Sequence, residues 1–205
     1  MALVKYNNNS ISSVTSAASF PAGAMTLIKT LTASSSSTLS FVDGSSDVVL
    51  DNTYPIYLFT FNNIHPASDA TSFLFQGNAA GGSGFNETMT TTFFRARHKE
   101  NGSDGGLSYD TNYDLAQSTN FQVLSYATGN DNDQSCSGTL HLFNPSSTTF
   151  VKHYISLFNV VTHADYSVNH YVGGYANTTS AVDAIQFKFS SGNIDSGQIL
   201  LFGLN

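Results

Sequence analysis

The chain has 205 residues, of which 40% are hydrophobic, 13% aromatic and only 10% charged, with a net charge of −7. That is enough apolar chain to bury one sizeable core, and it excludes a disordered polar sequence. The acidic balance speaks against a nucleic-acid binder, which carries a basic footprint, and no run of about 18 apolar residues is present to cross a membrane as a helix.

Residues 1–10, MALVKYNNNS, hold one Lys and no long apolar stretch, so no secretory leader is expected there. Residues 7–24 are small and polar and close on Pro21 and Gly23. Residues 1–24 therefore read as an extended N-terminal arm, a tether with Leu3, Val4, Tyr6 and Ile11 as its apolar anchors. From Met25 onward the sequence turns to β-formers, and residues 25–205 are predicted to make one domain. Strands are expected over 26–32 and 38–42, followed by the turn Asp43-Gly44-Ser45-Ser46 and the short apolar run Val48-Val49-Leu50. In YPIYLFTFNNIHP, Tyr57, Phe59 and Phe61 share one side and Ile56 and Leu58 the other, which predicts a central strand. Further strands are expected over 71–76, 89–97, 121–127, 138–144, 151–161, 168–175, 184–190 and 198–203. Residues 107–120 are ambiguous between loop and a short helical turn.

About a dozen short strands with turn chemistry between them, and no helical period, predict an all-β fold: an antiparallel β-sandwich, jelly-roll-like. The expected core is Ile56, Leu58, Phe59, Phe61, Phe73, Phe75, Leu140, Leu142, Ile155, Leu157, Ile185, Phe187, Ile199 and Leu201. The last two strands are expected to pair as a hairpin through Ser191–Gly197, with Gly192 and Gly197 supplying positive φ.

Catalytic motifs are absent from the sequence: no Gly-x-Ser-x-Gly, no His-Glu-x-x-His, no phosphate-binding loop. The single cysteine, Cys136, has no partner for an internal disulfide and reads as a buried spectator. His163 and His170 flank Asp165, too few ligands for a metal site, and His141 and His153 sit in strand patterns. Asp131-Asn132-Asp133 holds part of a calcium-loop pattern, but a plain Asn/Asp turn is the better reading. No cofactor is implied. Arg95, Arg97 and Lys99 fall on one side of a strand, a solvated face or else a small patch for an anionic ligand or partner. Tyr109, Tyr113, Tyr166, Tyr171 and Tyr175 lie in or near loops and are candidates for stacking on a glycan or a partner.

The stretch IKTLTASSSSTLSFVDGSSDVVLDNTYPIYLFTFNNIHPASDATSFLFQ, the block TGNDNDQSCSGTLHLFNPSSTTFVKH and the closing NTTSAVDAIQFKFSSGNIDSGQILLFGL together resemble small virion-associated β-proteins of tailed bacteriophages. These come from the decoration and tail-fibre regions, especially of phages of marine bacteria. Phe202 stands where a Tyr is common in that pattern. The resemblance spans roughly residues 25–204 and brings no catalytic residues with it. It implies a non-enzymatic structural protein of the virion, assembled in the bacterial host cytoplasm. Such a protein is displayed on the particle as a capsid decoration (cement or head fibre) or as a tail-fibre or receptor-binding module. Its implied partners are other capsid or tail proteins and further copies of itself, with a trimer expected by analogy. The alternative is a soluble carbohydrate-binding module for host surface glycans.

Overall fold

Period-two alternation dominates the chain, and the backbone follows it. The computed structural model describes residues 24–205. They form β1 (Met25–Thr32), β2 (Leu39–Val42), β3 (Ile56–Pro66), β4 (Thr71–Ala79), β5 (Met89–Lys99), β6 (Gly105–Tyr109), β7 (Gln122–Thr128), β8 (Cys136–Phe143), β9 (Lys152–Val161), β10 (Tyr166–Ala176), β11 (Val182–Phe189) and β12 (Ile194–Leu204). An eight-stranded sheet runs β1-β12-β3-β8-β9-β10-β5-β6, and a four-stranded sheet runs β2-β11-β4-β7. Every pairing is antiparallel. The two sheets pack as a sandwich. A jelly roll, eight strands in two Greek keys, does not follow from this division.

The core lies between the sheets and is dense in aromatic rings. Phe61 of β3 meets Phe73 of β4 at 5.6 Å, Phe158 of β9 at 4.8 Å and Phe187 of β11 at 5.0 Å between ring centroids. Tilted and edge-on geometries of this kind suit the ring quadrupoles. Cys136 is buried as expected; burial pushes its thiol up to about 12, so it is a packing group and not a nucleophile.

Two expectations of the fold need correction, the terminal hairpin and the core placement of four residues. The last two strands do not form a hairpin: β11 pairs with β2 and β4 in the small sheet, while β12 pairs with β1 and β3 in the large one. The link 190–193 crosses the roughly 10 Å between layers, a span that a few extended residues cover. Gly192 and Gly197 do have positive φ, but Gly197 lies within β12, where the register against β3 slips. Ile155 and Leu157 are 57% and 44% exposed, because β9 turns Tyr154, Ser156, Phe158 and Val160 inward instead. Ile56 and Leu58 are half-buried on the same outward side. Residues 105–109 form the edge strand β6, and 110–121 run on as loop with no helix. Val48 and Leu50 are buried without forming a strand. The arm anchors Leu3, Val4, Tyr6 and Ile11 lie outside the described residues.

Candidate functional site

Two places depart from what an ordinary sandwich surface needs. The first is the outer face of the large sheet. Cross-strand partners share a face, so the register places Tyr109, Phe94, Tyr171, Leu157, Thr139, Thr60 and Leu200 in one row across seven strands. A neighbouring row runs from Phe202 through Leu58 and His141 to Ile155. The Phe94 and Tyr171 rings stack face to face, 4.7 Å apart at 4°, with Phe94 still 40% exposed. Leu107 on β6 is 74% exposed. From β6 across to β12, past the bulged start of β12 at Asp195, no Asp, Glu, Lys or Arg stands at an outward strand position. An antiparallel sheet with one face in water normally alternates apolar-in with polar-out; this face mixes apolar with hydroxyl- and amide-bearing side chains, and its titratable outward groups are the histidines His98, His141 and His153 and the tyrosines.

The second place is a cavity of about 200 Å³ at the β5 end of the sandwich. Its walls are Arg95 and Arg97 from β5, Tyr126 and Ala127 from β7, Thr162, His163 and Ala164 from the turn before β10, and Tyr166 and Val168 from β10. Arg95, Arg97 and Lys99 share the inward side of β5, so the cation cluster is not the solvated face first expected. Each side chain is held. Arg95 lies 5.0 Å from the Tyr126 ring centroid, donates from Nε to Ser108 at 3.2 Å and stands 3.6 Å from the Asp110 carboxylate. Arg97 contacts Asp104 at 3.0 Å and lies 5.9 Å from the Tyr166 ring, while Lys99 lies 5.2 Å from that ring. The Tyr166 hydroxyl donates to the same Asp104 oxygen, the main reason that carboxyl titrates below its ordinary range.

The five candidate tyrosines do not converge. Tyr109, Tyr171 and Tyr175 face outward from the large sheet, and Tyr109 donates to Asp114. Tyr113 packs on Phe93 and stacks on Tyr126 at 4.7 Å, and burial raises its hydroxyl. Tyr166 alone lines the cavity. Tyr126 was missed by sequence reasoning; its place in FQVLSYA, two residues past buried Leu124, marks it as a strand residue on the inward side, with no sign of the cations above it. The two flanking histidines part ways. His163 is exposed in the turn, while His170 is fully buried against Tyr126 and Phe93, with neither ring nitrogen partnered among the described residues. Asp131 closes a plain turn, its carbonyl accepting from the Gln134 N–H at 2.9 Å. Among the described residues, no three His, Cys, Asp or Glu side chains are grouped to hold a metal. His141 and His153 stand on the outward face beside Phe143 and Tyr175.

No protein-family model, curated protein or solved structure matches this chain.

Proposed function

We propose that the chain is a non-catalytic structural protein of a tailed-phage virion, displayed as a capsid decoration or a tail-fibre module, and that copies of it meet through the outer face of the large sheet. The observation that carries the assembly is that outer face, which holds exposed Phe94, Leu107, Tyr109, Ile155 and Leu157 and no Asp, Glu, Lys or Arg from β6 across to β12. Large apolar side chains open to water on one face, here among uncharged polar neighbours, mark an interaction site. A second copy suits it for two reasons. Two chains of −7 repel one another in general, and this face is where they can approach without bringing charges together. Seven strands at about 4.8 Å spacing, each showing about four outward residues, offer about 650 Å² per copy, or about 1,300 Å² in a pair, within the standard interface range. One broad self-complementary face favours a two-fold, isologous pair over the trimer expected by analogy. The sequence resemblance to virion-associated proteins supports the setting. Withdrawal of the Cys136 thiol and the His170 ring into the core supports a non-catalytic role.

Sedimentation of the purified chain and of Leu157→Lys tests the assembly. The wild type should sediment as an oligomer at micromolar concentration and the variant as a folded monomer. A wild-type monomer overturns the interface. Quantitative gels of purified particles test the setting: many copies per particle indicate decoration, a few indicate the tail, and absence from particles overturns the virion role.

A further inference from the structure

We propose that the cavity walled by Arg95, Arg97, Tyr126, His163 and Tyr166 binds a single sugar ring that carries a carboxylate. This stands independently of the assembly reading, since the cavity opens on the inward side of β5 and the docking face is on the other.

The chain has only seven Lys and Arg residues, and three of them share the inward side of β5 at this one place. Against them stand the two carboxylates that touch the guanidinium groups, Asp104 and Asp110. Lys99 lies outside the cavity wall and Asp165 sits in the wall turn between Ala164 and Tyr166, so what the cavity offers an anion is the pair of wall arginines, Arg95 and Arg97. A guanidinium has five N–H donors in a fixed fork that matches a carboxylate. Arg95 uses Nε on Ser108, and its 3.6 Å approach to Asp110 is longer than a hydrogen bond; Arg97 has its 3.0 Å contact with Asp104. Both side chains line the cavity, and among the described residues Ser108, Asp110 and Asp104 are their only polar side-chain contacts, which leaves guanidinium N–H groups for a ligand. Each is also fixed in place by a tyrosine ring beneath it, so little side-chain freedom is lost on binding.

The rest of the wall sets the rest of the ligand. Ala127, Ala164, Val168 and the edges of the Tyr126 and Tyr166 rings, whose faces are taken by Tyr113 and the cations, make apolar surface for the carbon skeleton of one sugar ring, with the Thr162 hydroxyl and the His163 ring as polar groups for its hydroxyls. At about 200 Å³ the cavity is smaller than the about 300–1,000 Å³ that holds a drug-sized ligand, so it takes one ring and not a chain. A sulfate ester would present a similar negative charge to the forks, and the test separates the two.

The experiment is a calorimetric or chemical-shift titration of the full chain with glucuronate, glucose, glucose 6-sulfate and inorganic sulfate. Glucuronate should bind saturably, more weakly as salt rises, and in preference to the other three. Arg97→Gln should raise Kd about tenfold or more, the loss expected on removing a hydrogen bond to a charged group. Arg97→Lys should recover part of that, as a point charge without the fork. Ala164→Phe keeps every charge, fills the cavity and should abolish binding; it carries the test if the arginine variants fail to fold. The proposal is overturned if no acid sugar saturates, if glucose or inorganic sulfate binds as tightly as glucuronate, if the sulfate ester binds more tightly, or if Ala164→Phe binds unchanged.

Discussion

His170 should make the stability of this protein fall in mild acid, and His170→Phe should remove that sensitivity. The ring is fully buried, 4.5 Å from Tyr126 and 5.3 Å from Phe93 between centroids, with no partner for either nitrogen among the described residues. Burial, and secondarily the positive charge of Arg95, push its pKa down to about 3 from an ordinary 6.5. The unfolded chain takes up a proton as the pH drops through about 6.5, while the folded chain stays neutral to about 3. Between those values the unfolded state binds more protons, so folding loses about 1.4 kcal/mol per pH unit, to a ceiling of about 5 kcal/mol. By about pH 4.5 the loss from this one group is about 3 kcal/mol. Urea unfolding of the wild type and of His170→Phe, each at about pH 7 and about pH 4.5, isolates it, because the carboxylates that also titrate are common to both proteins. The wild type should lose about 3 kcal/mol more than the variant over that interval. At neutral pH the variant should be as stable as the wild type or more so, since two unpartnered buried nitrogens are replaced by carbon. An equal acid loss in both proteins would refute the reasoning and place a proton acceptor or water at His170.

Phe61→Ala should cost about 3–5 kcal/mol in denaturant unfolding, because the Phe73, Phe158 and Phe187 rings around it are held by two different sheets and are poorly placed to collapse into the gap; a loss under about 1 kcal/mol would mean that the core refills. Gly197→Ala should destabilise by more than the about 1 kcal/mol of an average point substitution, since φ is +115° and an added Cβ would stand 2.5 Å from the Asn63 carbonyl oxygen. Thermal melting of that variant at the wild-type temperature would show that the β12 bulge relaxes freely.

Much of the sandwich was legible because alternation is a local property. The strand in YPIYLFTFNNIHP could be placed in a sheet interior from the sequence, and it lies between β12 and β8. Partner choice is not local. The turn chemistry of SSGNIDSG serves a hairpin and a crossing between layers equally well, so nothing in those residues distinguishes β11–β12 pairing from the observed separation into two sheets. β6 was hidden by its composition, with two glycines opening it and every residue exposed. The cavity was half legible: Arg95 and Arg97 share a strand side by spacing alone, but Tyr126 and Tyr166 reach them from β7 and β10, far off in sequence.

The failure at β9 is the instructive one, because it shares a cause with the docking face. In VKHYISLFNVV both phases hold apolar residues, and the usual rule assigns the purely aliphatic pair, Ile155 and Leu157, to the core. The structure does the reverse. It turns Lys152 inward, where the buried ammonium donates to the Phe150 and Thr178 carbonyls at 2.7 and 3.2 Å, and leaves Ile155 and Leu157 outward. β5 behaves alike, with its arginines inward and Phe94 outward. A sheet that held its cations inside and its leucines in water as a lone molecule would be spending stability without return. The pattern is consistent if the outward side is itself an interior, completed by a neighbour. The residues that misled the phase assignment are thus the ones Leu157→Lys probes: if that substitution changes neither the oligomeric state nor the stability, the inverted pattern of β9 and β5 is a local accident of packing, and the case for an interface on this face goes with it.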